Sequence, residues 1–279
     1  MRESRPEVSI DGTLVRASSH AQVPHTPAAT ASVAAFLMRI AVISDIHSNL
    51  HALEAVLTDI DAEAPDEIWC LGDVVGYGPK PNECADIVRE RSAIVLVGNH
   101  DLASIGKLDT GDFGPLAAES AHWTERALGE EQAAWLRTLE PAARREGLDL
   151  FHGSARDPVW EYVLSEQIAL ETMLVTNAPI VLVGHSHIAL ALAWDGTTVE
   201  GGLARNETVI ETPGARWLLN PGSVGQPRDG DRDAAWLLLD LGARTADFRR
   251  TAYDVAGAQE AIHATGLPDA LAERLAHGV

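Results

Sequence analysis

The pattern of apolar and polar positions changes near residue 38. Before it, Pro6, Pro24 and Pro27 interrupt Ser, Thr and Ala with no sustained period, and the few charges cancel. A stretch of this kind has no face to bury, so residues 1–37 read as a disordered extension, with Met38 as the natural start and 38–279 as one domain. The apolar residues just before Arg39 lead directly into a strand, where cleavage of a secretory leader would damage the fold. From there, Arg39–Ser44 predicts a buried strand, and Leu50, Leu53, Val56, Leu57 and Ile60 recur at helical spacing. The pair repeats, with a strand over Glu67–Leu71, a helix over Pro81–Arg91 opened by its proline, and a strand over Ala93–Val97. This β-α-β-α-β rhythm predicts a mostly parallel sheet covered by helices.

Farther along, Phe113–Glu140 predicts helix with a break at Gly129, and Leu148–Phe151 and Ile180–Val183 predict strands around a helix over Glu166–Thr176. Asp195 and Gly196 form a hairpin signal between Leu190–Trp194 and Thr197–Glu200. Strands near Trp217–Leu219, Ala234–Leu241 and Ala246–Ala252 then predict a second, more antiparallel sheet. Helices over Val255–Thr265 and Pro268–His277 close the chain.

Composition narrows the function. With 46% hydrophobic and 22% charged residues the chain has the balance of an ordinary globular domain. Its 41 acidic against 21 basic residues leave no broad basic surface, which argues against general nucleic-acid binding. The two cysteines, Cys70 and Cys84, form no CxxC pair, so a reducing, cytoplasmic setting is expected. No apolar run reaches the roughly 18 residues of a membrane span.

The chemistry lies where the strands end. Asp45 and His47 follow the first strand, Asp73 the second, and Asn99, His100 and Asp101 the third; His152, then His185 and His187, follow two later apolar runs. In an open α/β sheet the carboxyl ends of the strands share one edge, so these groups are expected to converge. Oxygen and imidazole donors without thiolate suit manganese, iron, nickel, zinc or cobalt, and their number allows two ions. Side chains two apart on extended backbone point the same way, which would aim Asp45 with His47, and His185 with His187, each at one site. His20, His25, His51, His122, His263 and His277 lack paired spacing and read as non-ligands; Cys70 and the seven tryptophans read as core.

The ordered set Asp45-x-His47, Gly72-Asp73, Gly98-Asn99-His100-Asp101, His152 and Gly184-His185-Ser186-His187 resembles the calcineurin-like metallophosphoesterase superfamily. The strings SDIHSNLHAL, GDVVGYGPKPNEC and NPGSVGQPR are similar to its prokaryotic YfcE-type branch. The resemblance implies a four-layer α/β/β/α sandwich of two mixed sheets with a dinuclear centre. It implies that Asp45, His47, Asp73 and His187 hold one divalent ion, and that Asp73, Asn99, His152 and His185 hold the other. Manganese is the first choice, with iron, nickel, zinc or cobalt as alternatives. It also implies a phosphatase or phosphodiesterase acting on a small phosphate ester, in which a hydroxide activated by the cations attacks in line and His100 serves as the catalytic histidine.

Where phosphoprotein phosphatases of that superfamily carry Gly-Asp-x-Val-Asp-Arg-Gly, this chain has Gly76 and Tyr77 in place of the Asp and Arg, which argues against a Ser/Thr protein phosphatase. Arg228, after a Gly-rich turn, is a candidate substitute anion anchor. Asn49 is a candidate substrate contact or a cap for the following helix, and Asp101 either orients His100 or faces water. No long insertion separates the motifs, so a shallow, open pocket is expected. The rival activities are a dinucleoside-polyphosphate hydrolase and a non-catalytic scaffold of the same fold, like the retromer subunit that resembles it without the catalytic histidine. No membrane partner is expected, and a homo-oligomer is left open.

Overall fold

The computed structural model describes residues 37–279, so the extension read over residues 1–37 lies outside the described residues except for exposed Leu37. Strand β1 (Arg39–Ile43) sets the layering. Ile40 and Val42 enter one core cluster and Ala41 and Ile43 another, the two-residue period of a strand buried on both faces. β1 pairs in parallel with β2 (Glu67–Cys70), which pairs in parallel with β3 (Ile94–Val95). On its other side it meets antiparallel Ala234–Asp240 (β11), followed by Thr245–Thr251 (β12) and Thr208–Glu211 (β9). A second six-stranded sheet runs in the order Ala142–Arg145 (β4), Leu148–Phe151 (β5), Ile180–Leu182 (β6), Arg216–Pro221 (β10), Ala189–Trp194 (β7) and Val199–Leu203 (β8). Within it β5, β6 and β10 are parallel and the other pairings antiparallel.

The inner faces of the two sheets pack on each other through Ile40, Val42, Trp69, Leu150, Leu182, Leu219 and Leu237. Helices α1 (Leu50–Glu63), α2 (Pro81–Arg91) and α5 (Glu130–Leu136) cover the outer face of the first sheet, and α6 (Glu166–Leu174) covers that of the second. This is the expected four-layer α/β/β/α sandwich. A C-terminal helical pair, α7 (Val255–His263) and α8 (Asp269–Glu273), packs through Ala258, Ile262 and Leu271, joined by Leu275 of the following 3₁₀ turn, against Tyr77, on the loop after β2.

The division of strands differs from the sequence reading. Both sheets are mixed: β5 and β6 belong to the second sheet, while β11 and β12 complete the first. The reason is burial. β11 buries Trp236 and Leu238 on one side and Leu237 and Leu239 on the other, so it needs a central place beside β1, which local alternation does not reveal. Three elements went unanticipated. β4 (AARR) and β9 are short edge strands with exposed side chains, and α3 (Asn99–Ser104) is a helix of under two turns. Gly129 separates α4 (Pro115–Ala127) from α5 as expected, whereas Phe113 precedes the helix.

Candidate metal centre

The loops that follow β1, β2, β3, β5 and β6 meet at one end of the sandwich, so the donors come from both sheets and not from the edge of a single one. Four side chains, Asp45, His47, Asp73 and His187, present ligand atoms within 4.8 Å of one another, and Asp73, His152 and His185 do the same. Asp73 is common to both groups. The carboxamide of Asn99 joins the second, its Oδ1 lying 3.3 Å from His152 Nε2.

Backbone groups fix which atom of each side chain faces inward. A carbonyl only accepts hydrogen bonds, so a ring nitrogen against one carries the proton and the other nitrogen carries the lone pair. His47 Nδ1 donates to Val75 O (3.1 Å), His187 Nδ1 to Gln226 O (2.7 Å), His152 Nδ1 to Leu71 O (2.9 Å), and His185 Nε2 to Trp160 O (3.2 Å). The carboxylates are tied in the same way at one oxygen each. Asp45 Oδ2 accepts from the His185 N–H (3.1 Å) and Asp73 Oδ1 from the His100 N–H (2.9 Å). Their other oxygens, Asp45 Oδ1 and Asp73 Oδ2, are buried without a hydrogen-bond partner.

Those two orphan oxygens point at the imidazole lone pairs. Asp73 Oδ2 lies 3.6 Å from His47 Nε2 and 3.5 Å from His152 Nε2; Asp45 Oδ1 lies 3.4 Å from His187 Nε2. His47 Nε2 and His187 Nε2 are 3.0 Å apart with both ring protons committed elsewhere. Lone pairs converging in a dry interior repel one another unless a cation lies among them. Oxygen and imidazole donors arranged in two groups that share one carboxylate therefore fit a pair of borderline divalent ions. Burial holds His47, His185 and His187 well below the usual imidazole range, hence neutral and competent as donors. Burial also pushes the Asp45 carboxyl up to about 7 and, with Asp101 beside it, raises Asp73.

The alternation argument for the Asp-x-His and His-x-His pairs is corrected. Asp45, His47, Asp73, His185 and His187 all have left-handed backbone, φ +49° to +64°, so the pairs are not on extended chain. His185 and His187 accordingly turn to different donor groups. Close backbone approach requires Gly98, where a Cβ would strike the Asp73 carboxylate.

His100 is 4% exposed and stands beside the donors without joining them. Its ring packs on Tyr77, Phe113 and His47 at centroid distances of 4.3, 4.8 and 5.0 Å, and its Nδ1 has no hydrogen-bond partner. Asp101 neither orients this ring nor faces water. It is fully buried and clamps two loops, accepting from Val75 N (2.9 Å) and Gly98 N (3.0 Å). The ring of His100 crowds Gly76, where a Cβ would lie 2.8 Å from Nδ1, so a carboxylate side chain has no room at that position.

Asn49 resolves as the cap. Its Oδ1 accepts from Ala52 N (3.2 Å) and its Nδ2 donates to Gly225 O (2.9 Å), which engages the carboxamide at both ends. Arg228 is half-buried beside the centre, donating to Gln226 Oε1 (2.9 Å) and Tyr77 Oη (3.4 Å) while its Nε is buried and unpartnered.

The pocket is not open. No donor exceeds 3% exposure, and aromatic rings from two loops close over the centre. Phe113 lies on His100 and meets the edge of Trp160 at 5.2 Å, and Tyr162 stacks on His185 at 3.9 Å. These residues were missed because the insertions that carry them are short, and a lone aromatic in a loop has no pattern to read. Trp160 is thus part of the site's roof, not core.

Residues 38–243 match the Calcineurin-like phosphoesterase superfamily domain. The structure is similar to the crystal structure of a metallophosphoesterase from Sphaerobacter thermophilus, with 39% identity, a TM-score of 0.80, and coverage of 87% of this chain and 100% of that one. An uncharacterized protein of Methanocaldococcus jannaschii is 36% identical over 243 residues, 85% of this chain and 96% of its own length. A symmetrical bis(5'-nucleosyl)-tetraphosphatase of Nitrosococcus oceani is 30% identical over 149 residues, a match that spans 51% of this chain and only 52% of that protein. No described helix is long and apolar enough to cross a membrane. With the motifs in order, the two-sheet fold around them and a match over most of the described chain, this protein belongs to the calcineurin-like phosphoesterase superfamily.

Proposed function

We propose that the protein hydrolyses phosphomonoesters or small phosphodiesters with two divalent cations, manganese foremost. Asp45, His47, Asp73 and His187 would hold one, and Asp73, Asn99, His152 and His185 the other. The observation that supports this most strongly is the pair of orphan carboxylate oxygens, each aimed at imidazole lone pairs in a dry interior. Two such cations supply hydroxide near neutral pH and neutralise charge on phosphoryl oxygens during in-line displacement.

The chain's own residues do the rest. His100, neutral and packed between aromatic rings beside the donors, would protonate the leaving oxygen or stabilise the charged phosphoryl group. Asp101 holds the loops that carry Asp73 and His100 in register. Arg228 supplies a guanidinium beside the centre as an anion anchor for the substrate. Phe113 and Trp160, meeting edge to face at 5.2 Å, would shield the bound ester from water. The negative surface charge does not oppose this, because the cations invert the local field. A cytoplasmic setting belongs to the same reading, supported by two buried free cysteines.

A second reading, hydrolysis of dinucleoside polyphosphates, is favoured by the partial match to the Nitrosococcus protein. The scaffold alternative is disfavoured by retention of His100 with the full donor set. The test supplies manganese and compares nitrophenyl phosphate, bis-nitrophenyl phosphate and diadenosine tetraphosphate. Chelator-sensitive turnover of a nitrophenyl ester is expected. Preference for the tetraphosphate would shift the assignment to the second reading, and retained metal with no turnover of any ester would leave a scaffold.

A further inference from the structure

The chain carries 41 acidic and 21 basic residues, so a buried arginine has ample choice of carboxylate. Half-buried Arg39, Arg249 and Arg250 each take one, from Glu63, Asp247 and Asp229 respectively, and Arg216 is held by the carbonyls of Thr176 and Ala178. Arg228 and Arg274 differ. Both are half-buried, and neither meets a carboxylate side chain among the described residues. Both lie over the same ring: each guanidinium carbon is 5.7 Å from the Tyr77 centroid. That ring in turn packs at 4.7 Å on His47 and 4.3 Å on His100.

Two guanidiniums gathered on one tyrosine repel each other, and cation–π contact offsets that only in part. Repulsion of this kind is relieved by an anion between or beside them. Arg228 keeps its buried Nε unpartnered, and Arg274 gives Nε to the α-carboxyl oxygen of Val279, the last residue of the sequence (2.7 Å), leaving its terminal nitrogens. Arg274 is brought over Tyr77 by the 3₁₀ turn Arg274–Ala276 after α8, which lies beyond the residues 38–243 that match the superfamily domain. The C-terminal helices thereby contribute a charge that the matched segment does not supply.

We propose that Arg228 and Arg274 form a second anion subsite, which seats a further phosphoryl group of the substrate beyond the one at the metal centre. This rests on the proposed function and narrows it: among small phosphate esters, one that carries a second phosphoryl group beside the hydrolysed one binds more tightly than one that carries a single group. Guanidinium bonds to phosphate are charge-assisted, so loss of one costs about tenfold in affinity.

The experiment titrates the full chain, at fixed free manganese, with inorganic pyrophosphate and with orthophosphate by calorimetry. The wild type is expected to prefer pyrophosphate at least about tenfold, Arg274→Gln to lose most of that preference, and Arg274→Lys to retain it within about threefold. Equal affinity of the wild type for the two anions overturns the subsite whatever the variants do, and so does an unchanged preference in Arg274→Gln. Binding is read without turnover. A preference for pyrophosphate in a chain that hydrolyses no ester upholds the subsite while removing the hydrolase reading, so the two fail separately.

Discussion

The group formed by Asp45, His47, Asp73 and His187 contains two carboxylates, whereas Asp73, Asn99, His152 and His185 contain only the shared one and a neutral carboxamide. The first group is also drawn closer, with two imidazole nitrogens 3.0 Å apart. On the proposed reading, a dication in the first position would lie nearer to charge balance than one in the second, since Asp73 is shared and only the first adds a carboxylate of its own. The lesson is an expected division of labour: the first position would retain its ion, and the second would present more uncompensated charge to a phosphoryl oxygen and exchange its ion more readily.

Asp73, shared by both, is where the comparison breaks completely. Asp73→Ala should empty both positions and lower turnover by at least about 10³-fold, read by metal analysis and nitrophenyl phosphate hydrolysis. His100→Ala should separate chemistry from metal holding, keeping both ions while kcat falls about 10²- to 10⁴-fold. Loss of metal in that variant would place His100 among the ligands. The asymmetry itself is tested by Asp45→Asn against Asn99→Ala. The former should weaken the tighter ion about 100-fold and the latter the looser one about tenfold, in calorimetric manganese titrations; equal losses would abolish the distinction.

The smallest effect is in pH. With the Asp45 carboxyl at about 7 in the metal-free protein, a cation entering the first position must displace its proton below that pH. Apparent affinity there should fall by up to about tenfold per pH unit as pH drops below 7 and level off above it. The second position, which lacks Asp45, should respond less steeply.

Much of this centre was legible because its residues follow strands. The apolar runs before Asp45, Asp73, Asn99 and His185 have strong local patterns, and the glycines beside them mark sharp turns. Sheet membership was not legible: β6 and β2 read alike as short apolar runs, and only pairing across the chain assigns them to different sheets. Nor was the roof, since Phe113, Trp160 and Tyr162 sit in loops where packing alone gives them meaning. Arg274 was invisible for a different reason, lying in a helical segment that read only as a chain terminus. The alternation expected of Asp45 with His47 and of His185 with His187 rested on extended chain, where the backbone in fact coils left-handedly and sends His185 and His187 to different donor groups.

That backbone carries a consequence for how the molecule behaves when starved of metal. Five donors and Ser48 sit at positive φ, a conformation that disfavours side-chain-bearing residues by about 1 kcal/mol or more apiece. The two sheets keep these loops cocked, and on the proposed reading the cations would act as the latch. Withdrawing them leaves a sprung end on an otherwise rigid sandwich, so chelation should open this rim to proteases while the strands beneath it stay protected.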